Sequence, residues 1–130
     1  MHWDPEYLEG SNANCVKDGW ALCCRATSGN VTDASDRAGY WGDYRTCDSP
    51  WRTVESAVAN MAQVHSDAAY IIWTGDLVPH DVWNTTKEEN IMINDRLLNL
   101  MKQYFPNTPL YATLGNHEAS PVNTSVDLVI

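Results

Sequence analysis

The sequence predicts an α/β fold: two helices alternate with two parallel strands, behind an irregular, disulfide-held amino-terminal segment. Three observations carry this expectation. Two short apolar runs, Tyr70-Ile71-Ile72-Trp73-Thr74 and Leu110-Tyr111-Ala112-Thr113-Leu114, each end on a glycine followed by a ligand-type residue. Apolar residues at helical spacing precede each run. All four cysteines, at 15, 23, 24 and 47, fall in the first third of the chain.

Residues 3–48 are rich in Gly, Asn, Asp, Ser and Cys and show little periodicity, so residues 1–48 form the loop segment. Four cysteines in such a stretch read as two disulfides. Three connectivities are open, and bridging the adjacent Cys23 and Cys24 is strained, which favours pairings that separate them. A zinc site is the alternative use, but the spacing lacks a paired Cys-x-x-Cys. The aromatic residues Trp3, Tyr7, Trp20, Tyr40, Trp41 and Tyr44 are expected to dock this segment. A lesser alternative is that some line a lipid or choline pocket, since aromatic faces attract quaternary ammonium.

Residues 49–130 form a helix–strand–helix–strand unit. Ser49-Pro50 is a helix start, with Ser as cap and Pro at the first helical position. Val54, Ala57, Val58 and Met61 then share a face, and the helix runs to about His65. Ala69 to Thr74 are expected as a buried strand. Thr85 and Glu88 form a capping box for a second helix, whose buried face is Ile93, Leu97, Leu100, Met101 and Tyr104. Pro106 ends that helix, and Pro109 precedes the second strand. A right-handed crossover makes the strands parallel and brings both glycine turns to one end of the sheet, where α/β sites form.

The chain has 130 residues, enough for one domain with a modest core, and its 44% hydrophobic content separates it from disordered tails. No apolar run reaches the length of a membrane-spanning helix. A net charge of −9 argues against binding a nucleic acid polymer and suits an acidic compartment. Asn30, Asn84 and Asn123 each open an Asn-x-Ser/Thr sequon, and together with the cysteines they point to a secretory route. Met1 leads straight into His2-Trp3-Asp4-Pro5-Glu6 without the apolar stretch of a signal peptide. The expectation is therefore an excised mature region or a stretch internal to a longer chain.

The candidate chemistry lies at Gly75-Asp76 and at Gly115-Asn116-His117-Glu118. Asp76 is a hard anionic ligand able to bridge two divalent ions, Asn116 adds a neutral oxygen, and His2 offers nitrogen. Such a mixed nitrogen and oxygen set suits zinc, manganese or iron. Two such ions stabilise a phosphoryl transition state, and His117 or His80 would protonate the leaving alkoxide. Taken singly these residues are ordinary: Gly-Asp is a common dipeptide, and His2 and His80 would pass for surface histidines. Their joint order and spacing set them apart.

These residues resemble the acid sphingomyelinases of the calcineurin-like metallophosphoesterase superfamily, from His2 to about Val126. The superfamily signals are His2, Gly75-Asp76 and Gly115-Asn116-His117-Glu118. More specific are His2-Trp3-Asp4 with Tyr7-Leu8-Glu9-Gly10, the Cys23-Cys24 pair and Ala38-Gly39-Tyr40-Trp41-Gly42. Trp73-Thr74, His80-Asp81-Val82-Trp83 and Pro121-Val122-Asn123 extend the match. Sphingomyelinase-like nucleotide phosphodiesterases share the metal motifs but are less similar at the cysteine pair and the Tyr-Trp-Gly segment.

The resemblance implies part of a four-layer α/β/β/α sandwich holding two zinc ions. His2 would bind the first, Asp76 would bridge both, and Asn116 would bind the second. His117 would contact the phosphate or act as general acid, with His80 protonating the leaving group. The implied disulfides are Cys15–Cys23 and Cys24–Cys47. The implied reaction converts sphingomyelin to ceramide and phosphocholine, at a membrane lipid surface in the parent protein, in the lysosome or outside the cell. The family's Asp-x-His motif lacks its Asp here, and its later histidines are not in the sequence. Val129-Ile130, without a cap or stop signal, looks like a break within a structure. The chain is therefore expected to be a fragment, inactive alone. The alternatives are a nucleotide-directed relative and a secreted, non-catalytic binding module.

Overall fold

A computed structural model describes residues 1–124. Ser125 of the third sequon, Val126 and the Val129-Ile130 end lie outside the described residues. The chain divides into two compact units, one spanning His2–Val54 and the other running from Glu55 onward together with Met1.

The amino-terminal unit has little regular structure beyond two 3-10 turns, Cys15–Asp18 and Ala34–Asp36. A segment this short buries too little apolar surface to hold itself by packing alone, and covalent links compensate. Cys15 is bonded to Cys23 and Cys24 to Cys47, with Cα separations of 5.5 and 5.6 Å. This is the pairing that the resemblance implies. Cys24 packs with Ala13 and Ala38 in a small core flanked by Tyr7 and Cys47. The Tyr7 hydroxyl donates to the Gly39 carbonyl at 2.7 Å, and burial pushes its pKa up to about 12. Gly39 is required there, because a Cβ would lie 2.9 Å from the Gly42 carbonyl oxygen.

The aromatic residues of this unit divide. Trp3 is buried and its ring meets that of Trp51 at 4.7 Å, and Tyr7 is half-buried. Trp20, Tyr40, Trp41 and Tyr44 are exposed rather than buried as docking residues, although the Arg52 guanidinium lies over the Tyr40 ring, 4.2 Å from its centroid. Backbone bonding accounts for two of them. The tight Gly39–Gly42 turn carries Tyr40 and Trp41, and their carbonyls accept from Arg52 at 2.6 Å and Thr53 at 2.5 Å. These bonds fix the turn's backbone, while the two exposed rings meet each other edge to face at 5.0 Å.

Helix α1 spans Trp51–Val64. Ser49 does not serve as its side-chain cap. Its backbone is engaged with the amino terminus instead: its N–H donates to His2 and its carbonyl accepts from Asp4, both at 2.9 Å. Pro50 provides the first accepting carbonyl, to Thr53 at 3.0 Å. Val54 and Val58 are buried, as the stripe predicts, whereas Met61 is exposed.

In the second unit, strand β1 (Ile71–Trp73) pairs in parallel with β2 (Leu110–Ala112), in the register Ile71–Leu110, Ile72–Tyr111 and Trp73–Ala112. Helix α2 (Lys87–Tyr104) connects them. β1 is shorter than the buried strand expected, and only one face is covered. Ile71 and Trp73 are half-buried and, with the edge of Ile72, border an apolar cleft lined by Val58, Leu97 and Met101. Ile72, on the opposite face by the two-residue period, is exposed.

The capping box of α2 is one residue later than the sequence suggested. Extended Thr86 accepts from Glu89 N–H, and the Glu89 carboxylate accepts from Thr86 N–H. That start places Asn90, Ile93, Leu97, Leu100 and Met101 on the buried face. Tyr104 is only half-buried, and Phe105, just past the helix, is buried instead.

Candidate metal centre

The parallel pairing determines the site. Ile71 N–H donates to the Pro109 carbonyl at 2.8 Å, and Thr113 N–H to Trp73 at 2.9 Å, so the two strands leave the sheet side by side. Gly75 and Gly115 then meet with no room between them. A Cβ on Gly75 would collide with the Gly115 backbone, and a Cβ on Gly115 would collide with the Asp76 carboxylate. The two glycines thus let Asp76 and Asn116 emerge from adjacent strand ends.

Asp76 has φ 58°, in the left-handed region, directly after Gly75 at φ 80°. Asp tolerates this conformation better than most residues, but a single one is still uncommon. His117 N–H donates to Asp76 Oδ1 at 3.3 Å. The His117 and His80 rings stand edge to face, 4.8 Å between centroids. His117 is half-buried and His80 exposed, while the following Asp81 is buried.

Asn116 is fixed through its nitrogen. Its Nδ2 donates to Asn123 Oδ1 at 2.9 Å, and Asn123 N–H returns to the Asn116 carbonyl at 3.2 Å. With the NH2 end committed, Oδ1 is the atom left to serve as a ligand.

Glu118 carries more of the local structure than the sequence indicated. Its carboxylate accepts from Asp76 N–H at 2.9 Å, Leu77 N–H at 2.9 Å and Gly115 N–H at 2.6 Å. The Glu118 carbonyl accepts from the buried Asn90 Nδ2 at 3.1 Å, which ties the turn to α2.

Among the sequence candidates, the second unit brings together Asp76, Asn116, His117 and His80. His2 belongs to the amino-terminal unit, where it is half-buried. Asn30, Asn84 and Asn123 are all exposed. Sequence reasoning assigned Asn123 only the role of a sequon, gave Glu118 no role of its own within the Gly-Asn-His-Glu motif, and did not single out Asn90. A signal existed for Asn90, a polar residue on an otherwise apolar helical stripe.

The match to calcineurin-like phosphoesterases covers residues 29–128, including both glycine turns. The chain belongs to this family. It is 38% identical to the sphingomyelin phosphodiesterase of Homo sapiens over 125 residues, 95% of this chain and 19% of that protein. It is 39% identical to sphingomyelin phosphodiesterase A of Dictyostelium discoideum, over 97% of this chain and 20% of that protein. It is also 38% identical to acid sphingomyelinase-like phosphodiesterase 3b of Homo sapiens, over 95% of this chain and 25% of that protein. The chain therefore spans about a fifth to a quarter of the length of these relatives.

Membership implies divalent metal ions. The donor set fits them. Asp76 provides a carboxylate beside a cradle that any Cβ at Gly115 would fill, and Asn116 keeps an amide oxygen available. Hard oxygens with imidazole nearby suit divalent ions of this class.

Proposed function

We propose that this chain is part of a zinc-dependent phosphodiesterase that hydrolyses sphingomyelin to ceramide and phosphocholine. The observation that supports this reading best is the meeting of Asp76 with Gly115-Asn116-His117 at the ends of two parallel strands. Asp76 and Asn116 would hold the metal ions, Asp76 through its carboxylate and Asn116 through its amide oxygen. His2 enters on the resemblance alone, as a further ligand. A divalent ion held there would supply Lewis acidity, activating water and offsetting negative charge on the phosphoryl oxygens. His117 binds the phosphate or donates a proton, and His80, its ring neighbour, protonates the departing ceramide oxygen. Water is consumed, and the bond from phosphorus to that oxygen breaks.

The remaining ligands lie outside this sequence, so activity belongs to the longer protein and the chain alone is inactive. The three exposed sequon asparagines and the two disulfides fit a secreted or lysosomal glycoprotein acting at a lipid surface. A second reading, action on nucleotides, rests on the resemblance to sphingomyelinase-like nucleotide phosphodiesterases. The identity to an acid sphingomyelinase-like phosphodiesterase equals that to the sphingomyelin phosphodiesterase of the same organism and does not separate the two.

The deciding experiment assays the full-length protein, loaded with zinc at acid pH, against sphingomyelin and a nucleotide phosphodiester in parallel. Release of phosphocholine, abolished by Asp76→Asn, supports the proposal. Turnover of the nucleotide substrate alone replaces it with the second reading. Retained turnover in Asp76→Asn removes the metal-holding role from Asp76.

A further inference from the structure

We infer that Glu118 is a positioning residue whose carboxylate holds Asp76 in its left-handed conformation and thereby aims the Asp76 side chain. Consecutive positive φ angles at Gly75 and Asp76 accompany an unusual arrangement, in which the N–H groups of Asp76 and Leu77 converge on one anion. Backbone concavities of this kind bind anions generally, and here the anion is an internal carboxylate. One oxygen, Oε2, also accepts from Gly115 N–H, so a single side chain joins the ends of both strands.

The consequence concerns Asp76. A non-glycine residue in the left-handed region persists only where its surroundings fix it. Locally, Trp73 Nε1 bonds the turn, to the Gly75 carbonyl at 3.3 Å, and the residues that follow, Leu77, Val78 and Pro79, offer no side-chain acceptor for the Asp76 and Leu77 N–H groups. Glu118 supplies the constraint from forty-two positions away. Without it, the Asp76 and Leu77 N–H groups lose their acceptor. The left-handed turn is then left to the Met1 amino group on the Asp76 carbonyl, Trp73 Nε1 on the Gly75 carbonyl and the Gly75–Gly115 approach, so the carboxylate is less firmly kept beside His117 N–H. Asn90 supports the same arrangement by holding the carbonyls of His117 and Glu118 at 3.4 and 3.1 Å. Glu118 does not need to touch substrate or metal in this role.

The arrangement distinguishes the two carboxylate oxygens. Oε2 serves Asp76 and Gly115, and Oε1 serves Leu77. Glu118→Gln keeps one carbonyl oxygen and replaces the other with an NH2 group, which cannot accept. The variant can therefore satisfy Asp76 and Gly115 together, but not Leu77 as well.

The test is hydrogen exchange of the full-length protein, read at residues 76, 77 and 115 in wild type, Glu118→Gln and Glu118→Ala. In Glu118→Ala all three amides should exchange at least tenfold faster, with exchange in the middle of α2 unchanged. In Glu118→Gln the loss should fall selectively on Leu77. Unchanged exchange at the three amides in a folded variant overturns the inference. If Glu118→Ala unfolds globally, the Gln variant decides alone. A competition titration with zinc should show affinity lowered about ten- to a hundred-fold in Glu118→Ala, the range for losing a group that orients a ligand. That second arm rests on the zinc reading of Asp76. Absence of zinc binding in wild type would defeat that reading, while the exchange pattern still decides the role of Glu118.

Discussion

Arg25 grips Asp4 with two hydrogen bonds, Nε to Oδ2 at 2.7 Å and a terminal nitrogen to Oδ1 at 2.9 Å, and both side chains are buried. Burial raises the Asp4 pKa despite this partner, because desolvation outweighs the hydrogen bond and attraction from Arg25. Arg25→Ala would leave a buried carboxylate without its cation. The expected loss is about 3–5 kcal/mol of stability at neutral pH. Removing Arg25 raises the Asp4 pKa further, so the deficit should shrink as acidification protonates Asp4. Denaturation midpoints of the oxidised variant at neutral and acid pH check both parts. A deficit independent of pH would mean that packing, not charge, carries the effect.

Two other carboxylates act with the opposite sign. Lys17 bonds Asp36 at 2.6 Å and Arg45 bonds Asp43 at 2.8 Å, and these partners hold both carboxyls below their ordinary value of 3.8. A lowered folded pKa gives stability that is present above the unfolded value and lost as pH falls through the folded one. The amino-terminal unit should keep this contribution down to about pH 4 and lose it below. Asp36→Asn should flatten that acid limb when midpoints are followed downwards from neutral pH. An unaltered acid limb would remove Asp36 from the account.

Gly115→Ala tests the close approach of the strand ends. The added Cβ collides with the Asp76 carboxylate and with the Asp76 backbone nitrogen, so the carboxylate must leave its place and the backbone must shift. The expected cost is about 3 kcal/mol, the upper range for overpacking. Zinc affinity should fall with it in the full-length protein, because Asp76 is the group displaced. Calorimetric unfolding and a metal titration of the same sample measure the two effects. Wild-type values in both would mean that the strand ends are further apart than described.

Much of this was legible in the sequence because it rests on local rules. Helical periodicity gave α1 and α2, the glycine turns marked the two strand ends, and the right-handed crossover gave the strands their common direction. What was missed depends on contacts between distant residues. The capping box slipped by one because Thr85-Thr86 and Glu88-Glu89 offer the same motif in two registers, and tertiary burial of Asn90 and Ile93 chooses between them. Ser49 lost its role as cap because its backbone is taken up by His2 and Asp4, far away in sequence. Glu118 reads as the end of a motif, and its bonds to Asp76 and Leu77 appear only when the strands pair.

Asn123 offers a last prediction, because it is both a sequon residue and the partner of Asn116. Its Oδ1 accepts from Asn116 Nδ2 at 2.9 Å, while a glycan would attach at its own Nδ2. The two roles are chemically compatible and can be separated. Ser125→Ala destroys the sequon and keeps the Asn123 side chain, so zinc affinity of the full-length protein should be unchanged. Asn123→Ala also removes the acceptor, which frees the Asn116 amide to turn. Affinity should then fall about ten- to a hundred-fold, the usual effect of losing a group that orients a ligand. Equal losses in the two variants would assign the effect to the glycan. Wild-type affinity in Asn123→Ala would mean that Asn116 is oriented by something else, since its amide would then hold its direction without Asn123.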